Sequence, residues 1–131
     1  MKLQKLVYYS QAWSLVWDDR PLFHERIEAW ANGPVVPVLY NRHRQQYQVD
    51  PGTVEGDPSQ LDEAGRDTVD AVLKALGHRS SQYLSDLTHR ESPWTDVRVG
   101  LKQRERGDKE ITHAAMAEYY SSFKDEDAVE I

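Results

Sequence analysis

The run Ile27-Glu28-Ala29-Trp30-Ala31-Asn32-Gly33-Pro34-Val35-Val36-Pro37-Val38-Leu39-Tyr40 constrains the fold more than any other stretch, because it forces two changes of backbone direction within a short span. Ile27, Ala29 and Ala31 alternate with Glu28, Trp30 and Asn32, the period of an extended segment with one face turned inward. Gly33-Pro34 then ends it. Glycine reaches backbone angles closed to other residues, while proline fixes its own φ and pushes its predecessor out of the helical region. Pro37 suits the first turn of a helix, which Val38, Leu39 and Tyr40 carry on. The run reads as a rigid elbow, a buried turn between an edge strand and a helix, with no chemistry of its own.

Helical spacing places the other elements. Lys2 to Trp17 reads as a helix whose Leu3, Leu6, Val7, Trp13 and Val16 share a face. Tyr8, Tyr9, Ala12, Leu15 and Trp17 spread apolar surface around its second half, so it is expected to run through the centre. A second helix is expected from Val36 to about Tyr47, its basic end favouring the negative pole of the macrodipole. Residues Gln48 to Gln60 read as an exposed loop. Val69, Val72, Leu73 and Leu76 predict a third helix, with Asp62 as N-cap and Gly77 closing it in left-handed geometry. Ser80 caps a fourth, Ser81 to about His89, with Tyr83, Leu84 and Leu87 inward. Ser92-Pro93 reads as a cap followed by proline at the first position, opening a short turn that carries Trp94, Val97 and Val99. Gly100 to Glu110 reads as charged and mobile, and Thr112 caps a last helix with Met116, Tyr119, Tyr120 and Phe123 on its apolar side. The acidic tail, 124–131, is expected to fray. These elements predict a mainly α fold of five or six helices in one domain, 1–123, with a short extended element before the elbow.

The search for chemistry excludes more than it finds. No apolar run approaches the roughly 18 residues that a spanning helix needs, so no membrane is implied. There is no cysteine, hence neither disulfide nor thiolate metal site, which suits a reducing cytoplasm. The net charge of -6 argues against duplex DNA as a partner. His24, His43, His78, His89 and His113 are scattered, without the spacing of a zinc helix, and the glycines gather in no phosphate loop. No cofactor, metal or catalytic residue is therefore predicted. The one dense polar group is Thr88-His89-Arg90-Glu91-Ser92-Pro93-Trp94, where His89 or Glu91 could carry a proton as in a small hydrolase or nuclease. Neighbours in sequence point in different directions, however, which favours a helix end meeting the next cap, with Trp94 filling the core. Arg42, His43 and Arg44 beside Tyr47 could grip nucleic acid, but on an acidic chain they fit a solvated helix end or an acidic protein contact better. Most of the four tryptophans and seven tyrosines are expected in the core, but these residue types also anchor protein interfaces, so an exposed subset would point to a binding surface.

Several blocks carry a resemblance: Lys2-Leu3-Gln4-Lys5-Leu6-Val7-Tyr8-Tyr9-Ser10-Gln11-Ala12-Trp13, Pro21-Leu22-Phe23, Ile27-Glu28-Ala29-Trp30 with Gly33-Pro34-Val35-Val36-Pro37, Leu87 to Trp94, and Ile111-Thr112 with Tyr119-Tyr120. In order and spacing they resemble the Panacea domain, also called SocA-like or phage-associated protein. The resemblance implies a mainly helical cytoplasmic antitoxin that neutralises a toxin, generally encoded beside it, by direct protein binding. At least one relative acts instead as an adaptor delivering its toxin to an ATP-dependent protease. Gly33, Pro34, Pro37, Thr88, His89, Pro93 and Trp94 belong to the identifying signature. Family members usually carry a further helix before the block that opens this chain at Met1, which would leave the first helix here more exposed. The expected function is that of a non-enzymatic binding protein, with Trp30, Tyr40, Arg42, Arg44 and Tyr47 as contact candidates.

Overall fold

The computed structural model describes residues 2–43 and 61–123. Its elements, in chain order, are α1 (Lys2–Trp17), β1 (Ile27–Trp30), β2 (Gly33–Val35), α2 (Pro37–His43), α3 (Glu63–Leu76), α4 (Ser81–Thr88), α5 (Ser92–Thr95), a 3-10 turn (Asp96–Arg98), β3 (Glu110–Ile111) and α6 (His113–Tyr120). The fold is mainly α with a small sheet. The expected loop Gln48–Gln60, the second helix beyond His43 with Arg44 and Tyr47, and the tail 124–131 lie outside the described residues.

Helix α1 is the axis on which the rest packs, touching α3, α4, α6 and β2. Tyr8, Tyr9, Ala12 and Trp13 are buried on it, as the apolar second half predicts. The expected stripe is corrected, however: Leu3, Leu6, Val7 and Val16 are only half-buried, whereas Gln4, Lys5, Ser10, Gln11 and Ser14 are buried. For Gln11 and Ser14 the partners explain this. Gln11 donates from Nε2 to the Phe23 carbonyl at 2.9 Å and accepts at Oε1 from the Leu22 amide at 2.7 Å, while Ser14 Oγ donates to the Arg20 carbonyl at 2.8 Å. These polar side chains splint the turn that leaves α1, and that turn covers them; a buried polar group is tolerated where its hydrogen bonds are made.

The sheet has the order β2-β1-β3, both pairings antiparallel. The Ile27–Trp30 segment is therefore central, not an edge, because Ile27 and Glu28 pair with Ile111 and Glu110 on the side opposite β2. Gly33-Pro34 begins a strand instead of ending the extended segment. The reversal falls at Ala31-Asn32, with Trp30 opposite Gly33. Among the described residues positive φ occurs only at Asp19, Gly33 and Gly100, so Ala31 and Asn32 turn the chain with ordinary angles and Gly33, at φ 127°, brings β2 back alongside β1.

Three caps form as the sequence predicts: Asp62 accepts from Gly65 N at 2.8 Å, Ser80 from Tyr83 N at 3.0 Å and Thr112 from Ala115 N at 3.1 Å. Gly77 is a correction, since it ends α3 at φ -62°, ψ -26°, in right-handed geometry. Ser92 is another: the N-cap of α5 is Glu91, which makes no side-chain cap bond because its carboxylate turns inward. The segment expected to be mobile, Gly100 to Glu110, is held at Arg98 and ends in β3.

Candidate functional site

Signature residues far apart in sequence meet around the hairpin. A Cβ placed on Gly33 would lie 3.2 Å from Lys5 Cε and 3.3 Å from Thr88 Oγ1, so α1 and α4 close on the glycine from two sides. Next to it, Val36 N donates to Gln4 Oε1 at 2.8 Å. From the other flank, Trp94 Nε1 donates to the Trp30 carbonyl at 2.9 Å and Arg98 Nη1 to the Ala29 carbonyl at 3.0 Å. The Arg98 guanidinium also lies 5.0 Å from the Trp94 ring centroid and donates to the Lys102 and Glu105 carbonyls. The hairpin is thus gripped by Gln4 and Lys5 of α1, Thr88 of α4, Trp94 of α5 and Arg98.

His89 and Glu91 face different surroundings. The His89 ring stacks on Trp94 at 4.1 Å with 15° between planes, and its Nε2 is buried without a hydrogen-bond partner. Burial, and secondarily the charge of Lys5, lowers its pKa. Glu91 is 3% exposed and accepts at Oε1 from Tyr9 Oη at 2.5 Å and Tyr120 Oη at 2.8 Å. Tyr8 Oη meets Tyr120 Oη at 3.1 Å, extending the network across α1 and α6. Desolvation pushes the Glu91 carboxyl up to about 7 despite the two hydroxyls, and burial raises both Tyr9 and Tyr120 well above the usual phenol range. The clefts at Trp30, at Val7 and at Ser92 are lined by neither His89 nor Glu91.

The surface this framework presents is aromatic. Trp30 and Tyr40 meet edge to face, centroids 4.9 Å apart and planes 69° from parallel, at the mouth of a cleft of about 720 Å³. Glu28 and Asn32 of the hairpin line it together with Arg106 and Asp108. Glu28 accepts from Trp30 Nε1 at 2.9 Å and pairs with Arg26 Nε at 3.0 Å. Val7, Phe23, Glu25, Val36, Val38, Leu39 and Arg42 line a second, smaller groove of about 230 Å³.

Residues 3–95 match the model of the Antitoxin SocA-like, Panacea domain. The chain belongs to this family. Antitoxin SocA of Caulobacter vibrioides (strain NA1000 / CB15N) is 29% identical over 112 residues, a match covering 76% of this chain and 60% of that protein. The chain spans about three fifths of the length of that relative. No solved structure matches it.

In this Panacea domain, Trp30 and Tyr40 are brought together, and Arg42 lines the second groove, whereas Arg44 and Tyr47 are outside the described residues. Gly33, Thr88, His89 and Trp94 cluster beneath the hairpin, with Pro34 opposite Ala29 in the sheet, Pro37 opening α2 and Pro93 in the first turn of α5. Lys5, Gln4, Glu91 and Arg98 organise the framework and were not legible as such; their partners lie tens of residues away, and no local pattern announces them. Among the described residues no three His, Asp or Glu side chains gather as a metal site, and no helix is long and apolar enough to cross a membrane.

Proposed function

We propose that this Panacea domain is the antitoxin of a type II toxin–antitoxin pair, a cytoplasmic, non-enzymatic protein that neutralises a toxin encoded beside it by direct contact. The observation that carries the reading is the Trp30–Tyr40 corner, where half-buried Trp30, on a hairpin held from both flanks, meets half-buried Tyr40 of α2. Aromatic residues on a preorganised element lose little conformational freedom on binding and are the residue types that dominate interface energetics. Family membership supports the antitoxin role, and the engagement of Glu91 by tyrosines supports a binding protein over a hydrolase or nuclease.

Co-expression with the product of the adjacent gene tests this. The unaltered protein restores growth and co-purifies with the toxin, and Trp30→Leu combined with Tyr40→Leu loses both while keeping its helical circular dichroism. Failure of the unaltered protein to protect overturns the antitoxin reading. Disappearance of the toxin from cells that contain this protein, with no complex recovered, replaces blocking with delivery to an ATP-dependent protease. Rescue by His89→Ala/Glu91→Gln, still folded, is expected; its loss would restore the enzyme.

A further inference from the structure

His89 sits where the hairpin is gripped. Its ring lies nearly flat on Trp94, 4.1 Å away, and the same indole donates from Nε1 to the Trp30 carbonyl at 2.9 Å. Nε2 of the ring is buried without a hydrogen-bond partner. A neutral imidazole can leave one nitrogen as a bare lone pair, whereas an imidazolium has two N–H donors to satisfy and a charge to solvate. The neighbours offer that charge little. Lys5 of α1 is 1% exposed, and its Nζ would lie 3.7 Å from a Cβ on Gly33, under the same hairpin. Among the described residues it has no ion pair. On the other flank, the Arg98 guanidinium stands 5.0 Å from the Trp94 ring centroid. Asp86 of α4 and the Asn32 backbone favour a proton on the ring, while burial first, then Lys5 and Arg98, oppose it.

The geometry points to His89 as a proton-operated catch on the hairpin: a proton at Nε2, buried beside Lys5 with no acceptor, drives the ring off Trp94, and the Trp30 carbonyl loses its tie to the indole. The device is the arrival of charge, not the loss of a prop. His89→Ala removes ring and charge together and leaves the contacts from Gln4, Trp94 and Arg98 in place, so the hairpin stays closed. The folded surroundings hold the ring below its ordinary value of 6.5, so the closed form is complete above that pH and is lost as pH falls through the lower folded value. Glu91 works in the opposite sense, since its proton, taken up as pH falls through about 7, favours the folded chain. Global stability mixes the two effects, and only a local probe separates them. For the partner, the inference rests on the reading of the Trp30 corner as the toxin-contacting face and adds that acid loosens the hold.

Side-chain NMR over a pH titration of the whole chain provides the test, in the Glu91→Gln background so that the neighbouring carboxyl is silent. The His89 Cε1 resonance titrates with a midpoint below 6.5, and the Trp94 indole N–H moves upfield, as a donor does on losing its hydrogen bond, with the same midpoint. Lys5→Met raises both midpoints together. His89→Asn, which has no proton to gain, abolishes the Trp94 transition. A His89 midpoint at or above 6.5, or a Trp94 resonance that stays still while His89 titrates, overturns the inference, and so does a Trp94 transition that survives His89→Asn. The coincidence of the two midpoints decides the matter even if His89→Asn does not fold. None of these results needs a toxin. With the toxin present, affinity in the Glu91→Gln background falls through the same midpoint by up to about tenfold per pH unit, the limit for one proton, and His89→Asn flattens that fall. An equal fall in both proteins overturns the catch as a control of binding, whereas failure of the unaltered protein to rescue strikes the antitoxin reading alone.

Discussion

Burial strips the Glu91 carboxylate of hydration, and the hydroxyls of Tyr9 and Tyr120 return part of what is lost. Its carboxyl is held at about 7 in the folded chain, above the ordinary value of 4.5, so folding favours the protonated form. The stability this proton contributes is complete below pH 4.5 and disappears as pH rises through about 7, an effect of roughly 3 kcal/mol at most. Glu91→Gln keeps an oxygen for the two tyrosines and cannot ionise. The variant is therefore expected to gain thermal midpoint relative to the parent as pH is raised from 5 to 8, when both are scanned in matched buffers. A difference that stays constant over that range would remove ionisation of Glu91 from the account. Nothing in Arg90-Glu91-Ser92-Pro93 distinguishes such a residue from a surface glutamate. Its burial is decided by tyrosines from α1 and α6, one 82 residues before it and the other 29 after it.

At the level of elements, the hairpin depends on a glycine twice over. Gly33 takes a φ of 127°, which L side chains rarely adopt, and the space its Cβ would fill is bounded by Lys5 Cε and Thr88 Oγ1. Gly33→Ala is expected to cost about 2 kcal/mol in urea denaturation, strain and crowding together; an unchanged midpoint would show that the hairpin can relax around a side chain. Elements with local determinants were legible from sequence. The span of α1 follows from helical spacing, and the starts of α3, α4 and α6 from a single capping oxygen each at Asp62, Ser80 and Thr112. Elements fixed at a distance were not. Strand β3 is two residues long and shows no period, and only its pairing with Ile27 and Glu28 makes it a strand. The cleft was half legible for the same reason. Trp30 and Tyr40 stand out by residue type, while Arg106 and Asp108 arrive from a charged stretch that reads as mobile until Arg98 is seen gripping it.

Across the whole molecule, one guanidinium joins the sheet to the segment that walls the cleft. Arg98 donates to the carbonyls of Ala29, Lys102 and Glu105, and a Cβ on Gly107 would fall 2.9 Å from its Nη1. Lysine retains the charge but not the fork that serves three acceptors. Arg98→Lys should leave amide protection in α1 close to that of the parent and speed hydrogen exchange over 101–108 by on the order of tenfold or more, a local opening beneath the global stability. Equal acceleration in α1 would mean that Arg98 supports the entire fold. The contact between Gln4 and Val36 has a different reach. The side-chain amide accepts from the Val36 N–H and lies with its own Nε2 3.5 Å from the Val36 carbonyl, much as a neighbouring strand would place a peptide group. Immediately beyond β2 the first helix thus supplies a counterfeit peptide, and the sheet is denied an open template there. Recruitment by strand addition is closed on that side, and self-association into longer sheets with it; a protein that docks at the hairpin must be recognised through its side chains.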